Sequence, residues 1–324
     1  MAHVKGFCTP WVKCAAVLSA TVAIALNVQF VHATEKQSRV LTLETNERPV
    51  TEIAVNGVRT LAVIDTGATL PLIDDDFIAS ADIKWRPTEQ LEILGLGGTR
   101  TYPTSDLSSL AIGELQWTDV PVAVNTVNRD PVKQSILPIS LFHERVVDFD
   151  FANQTLALYE GAPKRVRRSR TSTLNYTYSD RLIFIDVEIN GEIGTALIDT
   201  GAHVSFVNPA FVKAARGKLD IEGTQRVRGS DLSNHYVSVY QFRRFQVGEY
   251  KAQKARFLVL KSQLFDMLGL ADRPAMILGM DVLQHWRMQV DRERQQITFV
   301  LPKTKRRGLT ISSSDNRMTA QRRN

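Results

Sequence analysis

Leu61-Ala62-Val63-Ile64-Asp65-Thr66-Gly67-Ala68 and Ala196-Leu197-Ile198-Asp199-Thr200-Gly201-Ala202 are two copies of one pattern, an apolar run ending in Asp-Thr-Gly-Ala. Such a run reads as a buried strand, and the Thr-Gly after the aspartate reads as a turn. Each half of the chain therefore aims one carboxylate out of a strand end, on a loop whose glycine lets backbone approach closely. A single Asp-Thr-Gly is an ordinary turn former, with the aspartate bonding its own backbone. Two in register ask for more, because turn chemistry does not require the same four residues twice.

The duplication extends well beyond the two loops. Asp65 and Asp199 are 134 residues apart, and at that offset Ile53-Ala54-Val55-Asn56-Gly57 falls on Val187-Glu188-Ile189-Asn190-Gly191. Downstream, Leu72-Ile73-Asp74 falls on Phe206-Val207-Asn208, and Phe77-Ile78 on Phe211-Val212. Ala111-Ile112-Gly113-Glu114 meets Gln246-Val247-Gly248-Glu249 at 135, and Ile136-Leu137-Pro138 meets Ile277-Leu278-Gly279 at 141, as does Asp150 with Asp291. A drift of that size is what loop insertions produce. A twofold repeat of this length is too long and too few to be a solenoid.

This pattern resembles the aspartic proteases over roughly residues 40 to 301, and Asp-Thr-Gly-Ala is more similar to the retropepsin branch than to the pepsin branch. Ile277-Leu278-Gly279 is similar to the hydrophobic-hydrophobic-Gly segment that braces the catalytic loop in that family; Pro138 departs from it, having no N–H and a fixed φ. The resemblance implies an all-β, two-lobed fold of internally duplicated retropepsin-like β-barrel lobes with short helices. Retropepsins usually pair two identical chains. This one carries both halves and so resembles a monomeric pseudo-dimer. Asp65 and Asp199 would be the catalytic pair of an aspartic endopeptidase, sharing one proton because two close carboxylates cannot both ionise cheaply. Thr66 and Thr200 would hydrogen-bond across the lobes, Gly67 and Gly201 would supply the turns, and Ala68 and Ala202 would complete the supporting loops. The implied substrate is a peptide or protein, attacked by water without a covalent intermediate, a metal or another cofactor. The alternative is a non-catalytic peptide-binding module with a protease-like fold, which Pro138 and the divergence of the lobes motivate.

Leu94-Gly95-Leu96-Gly97-Gly98-Thr99-Arg100-Thr101-Tyr102 lacks the lysine and following helix of a phosphate loop. In the repeat frame it lies where a family flap hairpin would, which makes Gly97, Gly98 and Tyr102 candidate flap residues; Tyr236 is their counterpart in the matching stretch 228–236. Strands are expected at Val50–Val55, Leu61–Ile64, Leu91–Leu96, Leu107–Ile112, Val120–Val124 and Thr155–Tyr159, with hairpin turns at Asn56-Gly57 and Asn190-Gly191. Asp74 and Asn208 suit helix N-caps and Pro209 the first helical position. Second short helices are expected near 140–144 and 281–285. The Asp74-Asp75-Asp76 run suits a helix start and offers too few ligands for a cation site. The six histidines show no metal spacing, and His203 is expected to pack beside the second loop.

The chain has 324 residues, 44% hydrophobic and 23% charged. Lys5 and Lys13, the apolar stretch Ala15–Leu26 and Val31-His32-Ala33 read as a secretory signal over 1–33, and hence a secreted or periplasmic protein. The apolar run is about a dozen residues, against about 20 for a membrane span, so no span is expected after cleavage; an uncleaved anchor is the rival. Cys8 and Cys14 both fall in this segment, leaving no disulfide and no thiolate chemistry in the remainder. The formal charge of +6 is unevenly spread: the signal holds +2, the stretch 164–170 holds +5 and the tail after Val300 holds +6, leaving −7 on the two lobes. No aromatic residues interleave the basic runs, so nucleic acid is not an expected partner. The expected organisation is an N-terminal lobe over 34–160, a basic linker over 161–175, a C-terminal lobe over 176–301 and a disordered basic tail over 302–324, with a pro-form clipped at linker or tail as a further possibility.

Overall fold

The computed structural model describes residues 38–44, 48–78, 80–83, 85–95, 98–126, 135–228 and 234–301. The expected signal segment and basic tail lie outside them. In the first lobe, β1 spans Arg39–Thr42, β2 Val50–Val55, β3 Val58–Asp65 and β4 Leu72–Asp74, followed by helix α1 (Asp75–Ile78). Then come β5 (Trp85–Gly95), β6 (Gly98–Ile112), β7 (Leu115–Asn125), β8 (Ser135–Pro138), β9 (Val146–Asp150) and β10 (Thr155–Tyr159). The second half holds β11 (Arg170–Asn175), β12 (Thr177–Ser179), β13 (Leu182–Ile189), β14 (Glu192–Ile198), β15 (Phe206–Val207) and α2 (Pro209–Ala214). It continues through β16 (Lys218–Arg228), β17 (Asn234–Val247), β18 (Tyr250–Val259) and α3 (Gln263–Met267). β19 (Ala275–Leu278), α4 (Met280–Leu283), β20 (Arg287–Asp291) and β21 (Gln296–Leu301) end it.

The repeat is a repeat of one closed barrel. Strands run β2-β3-β8-β4-β7-β6 in the first lobe, closed by β2 against β6, and β13-β14-β19-β15-β18-β17 in the second, closed by β13 against β17. Every strand of one barrel has its counterpart in the other. The all-β expectation holds, with two six-stranded barrels and few short helices. In each barrel the strand before the Asp-Thr-Gly-Ala loop and the strand after it flank a third, β8 or β19, parallel to the first and antiparallel to the second. The loop must therefore cross the end of that third strand, and this crossing fixes where the aspartate points.

Local sequence explains the corners. Asn56-Gly57 (φ 49° and 82°) and Asn190-Gly191 (φ 54° and 98°) are left-handed at both positions, the hairpin turn these residues favour. Asn208 caps α2 by accepting from Phe211 N–H at 2.9 Å, with Pro209 at the first helical position. The expected second helices are a 3-10 turn at Ile139–Leu141 and α4. β5 and β6 run further than the apolar segments suggested, their polar ends pairing as a hairpin, and β7 starts at Leu115 with Leu115 and Trp117 buried.

The lobes are joined by a third, six-stranded sheet, β1-β10-β9-β20-β21-β11, with three strands from each half and β9 against β20 at the junction. Its interior holds a paired charge: Asp148, 1% exposed, receives Arg287 through Nε at 2.8 Å and Nη2 at 2.7 Å, Gln289 Nε2 at 2.8 Å and the Tyr159 hydroxyl at 2.9 Å. Four donors on one carboxylate are what a charge needs to persist there. Arg145 from the first half is likewise bidentate to Asp291 of the second, at 3.0 Å on each oxygen.

This sheet corrects one boundary. The expected linker over 161–175 is irregular only as far as Ser169; Arg170–Asn175 is β11, paired along its length with β21. Ser172 is buried while Arg170, Thr171 and Thr173 face solvent, an alternation the dense arginines obscure. No helix among the described residues is long and apolar enough to cross a membrane.

Candidate active site

Asp65 is the last residue of β3, and Asp199 follows the last residue of β14. The two loops meet at the lobe interface, where each carboxyl lies against the glycine of the opposite loop and shifts the titration of the other. Asp65 Oδ1 accepts from Gly67 N–H at 2.7 Å, and Asp199 Oδ1 accepts from the N–H groups of Gly201 and Ala202, both at 2.9 Å. Each aspartate thus takes hydrogen bonds from its own tight turn while its carboxyl faces the opposite lobe.

The glycines are small for a reason that lies across the interface. A Cβ on Gly67 would stand 2.7 Å from Asp199 Cγ, and one on Gly201 would stand 2.5 Å from Asp65 Cγ. Either would push the pair apart. The threonines lock the approach. Thr66 N–H donates to Thr200 Oγ1 at 3.0 Å and Thr200 N–H to Thr66 Oγ1 at 3.0 Å. The Thr66 hydroxyl donates to Ile198 O and the Thr200 hydroxyl to Ile64 O, each at 2.7 Å. Both threonines are fully buried. Of the residues singled out in sequence, Asp65, Thr66, Gly67, Ala68 and Asp199, Thr200, Gly201, Ala202 are brought together at this point.

Burial pushes both carboxyls above the ordinary aspartate range; the hydrogen bond from Gly67 opposes this at Asp65, and the neighbouring charge of Asp65 raises Asp199 further. The pair therefore holds one proton between its members over a pH range in which isolated aspartates would be ionised. Among the described residues no three His, Cys, Asp or Glu side chains are grouped to hold a metal ion.

The loops are braced differently. In the second lobe Gly279 packs so closely under the loop that a Cβ would stand 2.7 Å from Val204 O and 2.9 Å from Ala202 O. Its N–H donates to Ser205 Oγ at 2.9 Å, and the Ser205 hydroxyl donates to Asp281 Oδ1 at 2.6 Å. Met280 N–H and Asp281 N–H donate to the carbonyls of Ala202 and His203, and Asp199 N–H to Leu278 O. The His203 side chain is exposed, so only its backbone serves the brace. In the first lobe the same places hold Pro71 and Pro138, with neither the hydroxyl nor the N–H. The turn after Pro138 is instead held from the second lobe, where the Arg292 guanidinium donates to the carbonyls of Ile139 and Phe142. Ser205, Asp281 and Arg292 were not read from the sequence. The divergence of Ser205 from Pro71 and of Asp281 from Ser140 is the signal that could have found the first two.

The flap candidates fare unequally. Gly97 lies outside the described residues; Gly98 opens β6, paired with Gly95, and Tyr102 is buried on the same strand. Tyr236 lies on β17 opposite Arg226, in the matching hairpin β16–β17. Near the tip of the β5–β6 hairpin, Thr99 Oγ1 lies 3.8 Å from Met267 Sδ on α3, so this hairpin reaches from the first lobe to the second.

Both lobes match known families. Residues 51–141 match the family described as "Aspartyl protease", and residues 185–285 match "gag-polyprotein putative aspartyl protease". No curated protein matches the chain.

Proposed function

Since both lobes belong to the retropepsin-like aspartic protease family, we propose that the protein is an aspartic endopeptidase whose single catalytic centre is built half from each lobe. Asp65 and Asp199 are the catalytic residues of this proposal. The observation that carries it is the meeting of two carboxyl groups from equivalent loops, each lying against the opposite loop's glycine and raised in pKa by burial. The ionised member of the pair takes a proton from a water between them, and the protonated member donates its proton to the carbonyl oxygen of the scissile peptide bond. The water oxygen bonds to the carbonyl carbon; as the C–N bond breaks, the amine leaves with a proton and the pair returns to its shared-proton state. The N–H groups of Gly67, Gly201 and Ala202 hold the carboxyls in place, Ala68 completes the first loop, and Thr66 and Thr200 keep the two loops in register.

The substrate is a peptide or protein strand lying in the cleft between the barrels. The β5–β6 hairpin, with Gly98 and Tyr102, is the better flap, because it already spans the lobes at Thr99 and Met267. The chain acts as a monomer, since it supplies both halves of the centre, and as a secreted or periplasmic enzyme, a location that rests on the N-terminal signal pattern alone. Incubating the purified protein with a mixed peptide library from acid to neutral pH tests the proposal. Cuts at internal bonds are expected. Capture of peptides without any cut would favour the second reading, a peptide-binding module, which the replacement of one lobe's brace by Pro71 and Pro138 motivates.

A further inference from the structure

We infer that Ser205 and Asp281 form a positioning pair that holds the Asp199 loop alone, so that the two aspartates are carried by unlike devices, one a hydroxyl–carboxyl pair of its own lobe and one with Pro71 and Pro138, and Arg292 reaching in from the other lobe. Three features place the pair in the second lobe. Ser205 is fully buried and sits between two partners, accepting from Gly279 N–H at 2.9 Å and donating to Asp281 Oδ1 at 2.6 Å. The segment it ties down touches the Asp199 loop at three further backbone bonds: Met280 N–H to Ala202 O at 2.8 Å, Asp281 N–H to His203 O at 3.0 Å and Asp199 N–H to Leu278 O at 3.0 Å. One of the two N–H donors to the Asp199 carboxylate, that of Ala202, belongs to the residue whose carbonyl this segment holds. A shift of the segment therefore moves the donor that orients the carboxylate.

Asp281 does this with one oxygen. Among the described residues its Oδ2 is buried without a hydrogen-bond partner, and burial lifts the carboxyl to about 6 against the lowering effect of its hydrogen bonds, that from the Ser205 hydroxyl first. A buried unpartnered oxygen is costly and is not explained by the fold, because the first lobe closes the same barrel with Ser140 at that place. Ser205 needs only an acceptor from its partner, which a neutral side chain supplies as well as a charged one. The substitution Asp281→Asn keeps that acceptor, whereas Asp281→Ala removes it.

The effect on turnover rests on the proposed protease activity; the effect on the loop does not. The experiment accordingly has two arms, on Asp281→Ala, Asp281→Asn, Ser205→Ala and Ser140→Ala in the full chain. Amide hydrogen exchange is followed at Asp199, Ala202 and Gly279, with buried β13 amides as an internal reference. Exchange at the loop is expected to rise about tenfold or more in Asp281→Ala and Ser205→Ala, and to stay near wild type in Asp281→Asn and Ser140→Ala. In the second arm, kcat is expected to fall between about ten- and a hundredfold in the two disrupted variants with KM little changed, as misplacement of a reacting group costs. It should be retained in Asp281→Asn. If Asp281→Ala does not fold, Ser205→Ala against Asp281→Asn makes the same comparison. Unchanged loop exchange in Ser205→Ala, or equal loosening by Ser140→Ala, overturns the pairing. A wild type that cuts nothing overturns the protease reading and leaves the exchange arm to decide the brace.

Discussion

Thr66 and Thr200 take part in four hydrogen bonds across the lobe interface: each hydroxyl accepts the other's N–H, and each donates to the carbonyl two residues before its partner, Thr66 to Ile198 and Thr200 to Ile64. Neither residue is exposed, so no water can substitute for a lost partner. Thr200→Val should leave the Thr66 N–H and the Ile64 carbonyl unpaired, costing about 1–3 kcal/mol for each. Thr200→Ser keeps the oxygen and should lose only about 1 kcal/mol with the methyl. Urea unfolding of the three proteins checks this; a valine variant as stable as wild type would contradict it.

The pH dependence of stability has a predictable sign at Asp281. Its carboxyl titrates at about 6 in the folded chain, against 3.8 for an ordinary aspartate. A raised acid favours folding fully below the lower value and loses that contribution as pH climbs to the upper one. The loss is about 3 kcal/mol between pH 4 and pH 7, at about 1.4 kcal/mol per pH unit. Asp281→Asn cannot titrate, so the stability of wild type relative to this variant should decline over that window. A relative stability that rises with pH, or stays flat, would contradict the burial argument.

A hydroxyl beside an ionised aspartate can donate to it and lower its pKa, but Ala68 and Ala202 follow the Asp-Thr-Gly words and offer none. Asp199 therefore has only backbone donors from its own turn. In the proposed reaction the active form is the singly protonated pair, so its window should be mildly rather than strongly acidic. Ala68→Ser and Ala202→Ser should move the pH–rate profile toward acid. Movement toward alkali, or none in folded variants, would show that these positions do not set the pair's titration.

The basic stretch between the lobes should be a protease target, but a narrower one than its composition suggests. Arg165, Arg167 and Arg168 are exposed in irregular chain, whereas the Lys164 carbonyl is held by Gln289 Nε2 at 3.1 Å and Arg170 starts β11. Limited trypsin treatment should cut first after one of those three arginines, as mass spectrometry of the fragments would show. A first cut within a barrel or inside β11 would mean that the lobes are less firmly joined there than the paired strands imply.

The barrels and the aspartate pair were legible in the sequence because their signals are local. An apolar run ending in Asp-Thr-Gly-Ala specifies a strand and a loop within a few residues, and the Asn-Gly turns and the Asn208-Pro209 cap do likewise. What was not legible depends on partners more than a hundred residues away. β11 reads as a charge run because only its pairing with β21 makes it a strand. α3 and the Thr99–Met267 approach have no counterpart in the first lobe's sequence to mark them. The Ser205–Asp281 brace joins residues that drift from their repeat partners at different offsets, so its logic appears only when β15 and α4 are brought side by side. Arg292 likewise reads as one more arginine after a strand, until its guanidinium meets the carbonyls of the other lobe.

The central claim is that neither lobe can work alone, because the reaction needs one carboxylate to take a proton while the other gives one. It is tested most directly by measuring the cleavage rate of one peptide substrate by wild type, Asp65→Asn and Asp199→Asn at matched concentrations of folded protein. Each substitution should reduce kcat by about a thousandfold or more, given what acid–base groups contribute, while thermal unfolding shows the variant still folded. Substantial cleavage by either single variant would contradict a centre shared between the lobes.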